Sequence, residues 1–144
     1  MLIKSIFILN LLLFSTTILA KSHKNQIECL ATAIYYESRG EPDLGKKSVG
    51  HVIMNRVKSG KYPDDVCSVI YQQKQFSFFK KGKKLLTPPK TEVYNEIRDM
   101  AKHIYHNHER LNDPTNNALF FHATYVNPKW KKRAKIKIGK HIFY

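Results

Sequence analysis

Hydrophobic and polar positions along the chain alternate with helical period over its first two thirds and with strand period near its end. Ile27, Leu30 and Ile34 recur at the i, i+3, i+7 spacing of a buried helical stripe. This predicts a first helix from about Ile27 to Ser38, stopped by Gly40-Glu41-Pro42. The polar residues Lys21 to Gln26 read as a flexible lead-in. Val49, Val52, Ile53 and Val57 predict a second helix from about Lys46 to Lys58. After the turn at Ser59 to Pro63, Asp64 or Asp65 is placed to cap a short helix reaching about Tyr71. Residues 72–89 show no period and read as irregular, with an aromatic cluster at Phe76-Ser77-Phe78-Phe79 and a basic loop at 80–84. The longest helix is expected from about Thr91 to Leu111, with Val93, Ile97, Met100, Ala101, Ile104 and His108 on its apolar side. Short strands follow at Ala118–His122, Ile136–Ile138 and His141–Tyr144. Helices first and strands last predict an α+β domain dominated by helices.

One polar residue breaks this pattern. Glu37 follows Ile34 by three positions and Leu30 by seven, so it lies on the apolar face of the first helix. A carboxyl among apolar groups loses solvation, which favours its neutral form and raises its pKa. Such a group can act as a general acid near neutral pH. The bland alternative is a glutamate at the rim of the core, paired with a basic residue such as Arg56.

The 144 residues allow one domain. Lys4, the apolar run from Ile6 to Leu19 and the small residue Ala20 have the form of a secretory signal peptide, leaving residues 21–144 as the mature domain. The run is shorter than the roughly 20 apolar residues of a membrane-spanning helix, which argues against a retained anchor. The formal net charge is +14, and residues 1–20 contribute Lys4 and no acid, so +13 remains after their removal. A basic exported domain suits an anionic partner such as cell wall, anionic lipid or nucleic acid. The run from Lys129 to Lys135, dense in charge around Trp130, could serve a wall polymer or a membrane surface, or be a solvated loop. Nucleic acid is disfavoured, because the basic residues are spread along the chain and no recognition motif is present. Cys29 and Cys67, an even number in an exported chain, predict one disulfide between the first helix and the segment after the second. Two free thiols would be expected in a cytoplasmic protein.

His103, His106 and His108 invite a metal reading, but no HExxH and no Cys/His ligand set accompanies them. A solvated histidine face is expected there, with no metal and no cofactor.

The stretch Cys29-Leu30-Ala31 followed by Ala33-Ile34-Tyr35-Tyr36-Glu37-Ser38-Arg39-Gly40-Glu41-Pro42 resembles the signature of the SleB/CwlJ-type cell wall hydrolases. The likeness continues through Gly50-His51-Val52-Ile53-Met54-Asn55-Arg56-Val57, Gln75-Phe76-Ser77, His122-Ala123-Thr124-Tyr125-Val126-Asn127-Pro128-Lys129-Trp130 and Ile138-Gly139-Lys140-His141-Ile142-Phe143-Tyr144. The resemblance implies a lysozyme-like fold and action on peptidoglycan; with the pattern above, the expected domain is mainly helical with a small C-terminal antiparallel β-sheet, and a monomer is expected. It implies Glu37 as the catalytic acid of a lytic transglycosylase. An N-acetylmuramoyl-L-alanine amidase and a non-catalytic wall-binding protein are the alternatives. Ser38 stands where many members have Ala, and Glu-Ser is the pairing of other lysozyme-like transglycosylases.

A sugar site needs flat aromatic faces and several hydrogen-bonding groups. Tyr71, Gln75, Ser77, His122 and Tyr125 are the candidates for substrate binding. Glu41 is the candidate for a second carboxylate, but Gly40 and Pro42 break the helix before it could share Glu37's face. It reads as structural, paired with Arg39 or Arg56.

Overall fold

The computed structural model describes residues 22–72, 76, 79–80 and 84–144. The leader at 1–20 and the candidates Gln75 and Ser77 lie outside the described residues.

Helix α1 occupies 22–38 of the described residues. It begins ahead of Ile27, so residues 22–26 of the expected polar lead-in are helical. The reason lies in what its polar groups hold. The Gln26 amide donates to Asp65 Oδ1 at 3.2 Å, and its oxygen accepts the Cys67 N–H at 3.0 Å. Leu30 and Ile34 are fully buried, as the stripe predicts.

Helix α2 spans Asp43–Lys58, three residues longer at its start than expected. Asp43 in the first turn and Arg56 and Lys58 in the last complement the helix dipole. It is the central helix, with Val49, Val52 and Ile53 removed from solvent. Gly50 lies where α1 and α4 close on α2. A Cβ there would sit 2.9 Å from Ile104 Cδ1 and 3.0 Å from Ile34 Cδ1. Helix α3, Val66–Tyr71, starts at Asp65, whose carboxylate accepts the Ser68 N–H at 2.9 Å. Cys29 and Cys67 are disulfide-bonded, joining α1 to α3 as the even cysteine count predicts.

The segment expected to be irregular carries a two-stranded antiparallel pair, β1 (Phe79–Lys80) and β2 (Lys84–Leu85). Two residues per strand are too few to leave a periodic signal. Helix α4 spans Glu92–Asn107, capped by Thr91 Oγ1, which accepts the Tyr94 N–H at 3.2 Å. It ends four residues before Leu111. The Asn107 amide donates to the His103 carbonyl at 2.9 Å and competes with the helical ladder there. Asp113 then turns the chain by accepting the Thr115 and Asn117 N–H groups. On the apolar stripe Ile97, Ala101 and Ile104 are buried, but Val93 is 43% exposed. Tyr94 takes its place, and its hydroxyl reaches Glu28 Oε2 at 2.9 Å.

The C-terminal sheet is antiparallel, in the order β3 (Phe121–Ala123), β5 (His141–Phe143), β4 (Ile136–Ile138). The first strand begins at Phe121 rather than Ala118. The reason is that Ala118 is drawn into a second small core with Val52, Ile138 and Phe143. In register, His122 faces Ile142 and Ile138 faces His141. The architecture is therefore mainly helical with a small C-terminal antiparallel sheet, the predicted class.

Candidate active site

Glu37 lies in the last turn of α1, on the face that Leu30 and Ile34 bury. Its carboxyl pKa is raised from 4.5 to about 7. Burial is the larger cause, and the charge of Arg56 pulls the other way. Among the described residues Arg56 makes no ion pair with Glu37, and its Nη1 is buried without a hydrogen-bond partner. Its Nε donates to the Leu119 carbonyl at 2.7 Å. The guanidinium carbon lies 5.3 Å from the Tyr62 ring centre, 5.7 Å from Phe76 and 6.0 Å from Phe120. The cation is thus held among rings, close enough to influence the acid and not close enough to neutralise it.

The neighbours of Glu37 in sequence have separate tasks. The Ser38 hydroxyl is buried and donates to the Ile34 carbonyl at 2.8 Å, within α1. Arg39 is exposed and lies over the rings of Tyr35 and Tyr36. Glu41 is buried, and its partner is neither Arg39 nor Arg56. Its Oε2 accepts the Lys140 N–H at 2.9 Å in the turn between β4 and β5. The turn brings a backbone donor to it that no local pattern of charges announces.

Of the remaining candidates, Tyr71 is 45% exposed at the end of α3 and Tyr125 is 88% exposed in the turn after β3. His122 on β3 is bound on both ring nitrogens: Nδ1 donates to the Ala123 carbonyl at 2.8 Å, and Nε2 accepts the Tyr144 hydroxyl at 2.8 Å. Its ring stacks on Tyr144 and meets Trp130 edge-on at 5.5 Å. Trp130 also contacts Phe120, at 5.9 Å. A run of ring contacts therefore leads from Arg56 through Phe120 and Trp130 to His122. Tyr62, Phe120 and Tyr144 went unread in the sequence because they come from separate segments. Each looks like an ordinary core aromatic when taken alone.

His103 and His106 are exposed, as a solvated face requires, whereas His108 turns inward against His51 with ring centres 4.9 Å apart. Among the described residues, no group of three or more His, Cys, Asp or Glu side chains is placed to hold a metal ion.

A mainly helical domain, closed by a three-stranded sheet and carrying a proton-loaded carboxyl at a helix end, is the class defined by this geometry. The chain belongs to the cell wall hydrolase family, whose match covers residues 40–144. That match starts three residues beyond Glu37; the similarity to individual relatives extends further. A spore cortex-lytic enzyme of Bacillus cereus is 39% identical over 130 residues, covering 83% of this chain and 44% of that protein. One of Oceanobacillus iheyensis is 34% identical over 127 residues, covering 83% and 41%. The chain thus spans less than half the length of these relatives. The solved catalytic domain of the Bacillus cereus SleB protein superposes with a TM-score of 0.64 at 37% identity, covering 83% of this chain and 88% of that one. The catalytic domain of the germination-specific lytic transglycosylase SleB from Bacillus anthracis gives the same score and identity and is covered over 93% of its length.

Proposed function

We propose that this protein cleaves the glycan strands of peptidoglycan as a lytic transglycosylase, with Glu37 as the acid and then the base. The observation that carries this reading is the Glu37 carboxyl, kept protonated up to about pH 7 by burial. Family membership and the similarity to a catalytic domain described as a lytic transglycosylase support it.

In the proposed reaction the Glu37 carboxyl donates its proton to the oxygen bridging MurNAc and GlcNAc, and the bond from that oxygen to C1 breaks. The Glu37 carboxylate then takes the proton of the muramyl C6 hydroxyl. The C6 oxygen bonds to C1, giving a 1,6-anhydro sugar and restoring the acid without water. A hydrolase of the usual kind needs a second carboxylate as nucleophile or base. Glu41, the nearest in sequence, is committed to the Lys140 N–H. Tyr71, Gln75, Ser77, His122 and Tyr125 remain the proposed contacts to the sugar. Residues 1–20 are read as an export signal, which places the enzyme where the polymer is. The disulfide fits an oxidising compartment.

Mass spectrometry of muropeptides released from purified peptidoglycan tests the reading. Anhydro-muramyl ends are expected, and their loss in Glu37→Gln. Reducing ends would mean hydrolysis, and free stem peptides would mean an amidase.

A further inference from the structure

The last acidic residue of the chain is Asp113, and residues 114–144 carry seven lysines and arginines. Much of this charge falls on 126–135, a segment without helix or strand whose residues are exposed apart from Pro128. It is nevertheless fixed in place. The Trp130 ring meets Phe120, His122 and Tyr144 edge-on, with centres 5.9, 5.5 and 5.6 Å away. Lys132 Nζ lies 4.1 Å from the centre of the Phe120 ring. Lys135 Nζ donates to the carbonyls of Asn116 and Asn117, and its N–H to that of Phe143.

These anchors leave Lys129, Lys131 and Arg133 displayed between them, with Lys137 beside them on β4. None of these four takes part in an ion pair among the described residues. Trp130 keeps 40% of its surface exposed despite its three ring neighbours. The segment is a fixed row of unpaired cations around a half-open indole, which suits a polymer with repeated anionic groups and sugar faces. Its continuity with the acid selects the polymer. Phe120, which carries Trp130 and Lys132, is also one of the rings around Arg56, whose charge acts on Glu37.

We infer that residues 126–137 form an extended subsite that holds the peptidoglycan strand beyond the cleavage point, through the carboxylates of its peptide stems. This rests on the proposed reading of the substrate, and it names the surface that captures it.

Binding is measured with Glu37→Gln protein, in which turnover of the polymer is expected to be at least about a hundredfold slower. The probe is insoluble peptidoglycan freed of attached phosphate polymers, compared with the same material after its carboxyls are amidated. The variant K131Q/R133Q/K137Q keeps every anchor. About tenfold weaker pelleting is expected from three lost exposed charges. Added salt and amidation should reproduce the loss in the parent and leave the variant little changed. Equal binding by parent and variant, equal binding of native and amidated polymer, or stronger capture by vesicles containing phosphatidylglycerol would overturn the inference. The catalytic reading fails separately, if Glu37-intact protein yields no anhydro ends while binding keeps its dependence on charge.

Discussion

Glu41 and Lys140 meet across 99 positions of sequence, the carboxylate accepting the backbone N–H at 2.9 Å. The contact ties the start of α2 to the turn between β4 and β5. It works only because Gly139 has no side chain. A Cβ there would stand 2.0 Å from Glu41 Oε2, and the φ of +56° is strained for other residues. Glu41→Ala should cost about 1–2 kcal/mol, since a part-buried N–H loses a charged acceptor. Gly139→Ala should cost about 2 kcal/mol or more, combining the strain with the displaced carboxylate. Glu41→Gln keeps a neutral acceptor and should lose about 1 kcal/mol. Urea denaturation orders the three. Glu41→Gln should also keep its anhydro product, whereas loss of all product from the folded variant would bring Glu41 into the chemistry.

The raised pKa of Glu37 makes a linked prediction about stability. Below pH 4.5 the carboxyl is protonated in both folded and unfolded chains. Between pH 4.5 and about 7 the unfolded chain gives up its proton while the native state keeps it, so stability falls as pH rises; above 7 the loss is complete. The full effect is on the order of 2–3 kcal/mol after allowing for partial exposure. Glu37→Gln mimics the neutral acid. It should match the parent near pH 4 and exceed its stability near pH 8, while losing about a hundredfold or more in activity. A variant no more stable than the parent at pH 8 would show that the parent's carboxylate carries no such penalty.

Arg56 is a positioning residue in this scheme, and its charge and its contacts can be separated. Arg56→Gln removes the charge that opposes burial, so the Glu37 pKa should rise further. The alkaline limb of the pH–rate profile should move upward with it. Arg56→Lys keeps the charge and should leave that limb in place. Both replacements lose the bond from Nε to Leu119 and the fit among Tyr62, Phe76 and Phe120. Each should therefore be destabilised by about 1.5–3 kcal/mol. Equal limbs in the two variants would exclude the electrostatic role.

The desolvated position of Glu37 was legible in the sequence because a single helix carries both the carboxyl and the apolar residues that bury it. A cap at Asp64 or Asp65 and the start of α4 near Thr91 were legible from local sequence, and the Cys29–Cys67 link from the even cysteine count. Arg56 was visible as a nearby charge, but its surroundings were not, since Tyr62, Phe76 and Phe120 arrive from three segments. The exchange of Val93 for Tyr94 on α4 turned on one distant acceptor, Glu28. The start of α1 turned on Gln26 finding Asp65 and Cys67, a tertiary contact that hydrophobic periodicity does not encode.

The disulfide closes a segment of 38 positions. Chain-entropy arguments assign a loop of that length about 4 kcal/mol, through restriction of the unfolded chain. Cys29→Ser/Cys67→Ser should lower stability by up to about that amount, and the reduced parent should behave like the variant. Denaturation with and without reductant measures both. A loss in the variant that reduction of the parent does not reproduce would point to packing of the two side chains rather than to the cross-link.

His51 and His108 supply a pH dependence opposite in sign to that of Glu37. Among the described residues their Nδ1 atoms are buried without a hydrogen-bond partner, and the rings lie 4.9 Å apart. Burial lowers both pKa values, that of His108 to about 4, helped by the charges of His51 and Lys58; Asp113 and, for His108, Glu109 oppose the shift. The native state holds these rings neutral. The stability they contribute is present above pH 6.5 and is lost as pH falls from there toward 4. Over the same range the Glu37 contribution grows, so the parent profile is partly levelled. Removing one side should expose the other. Glu37→Gln should lose stability steeply on acidification from pH 7 to 4, while His108→Gln should lose it less steeply than the parent, or gain. Denaturation midpoints at four pH values across that range decide the matter. Parallel profiles for the parent and both variants would mean that neither burial governs the acid response.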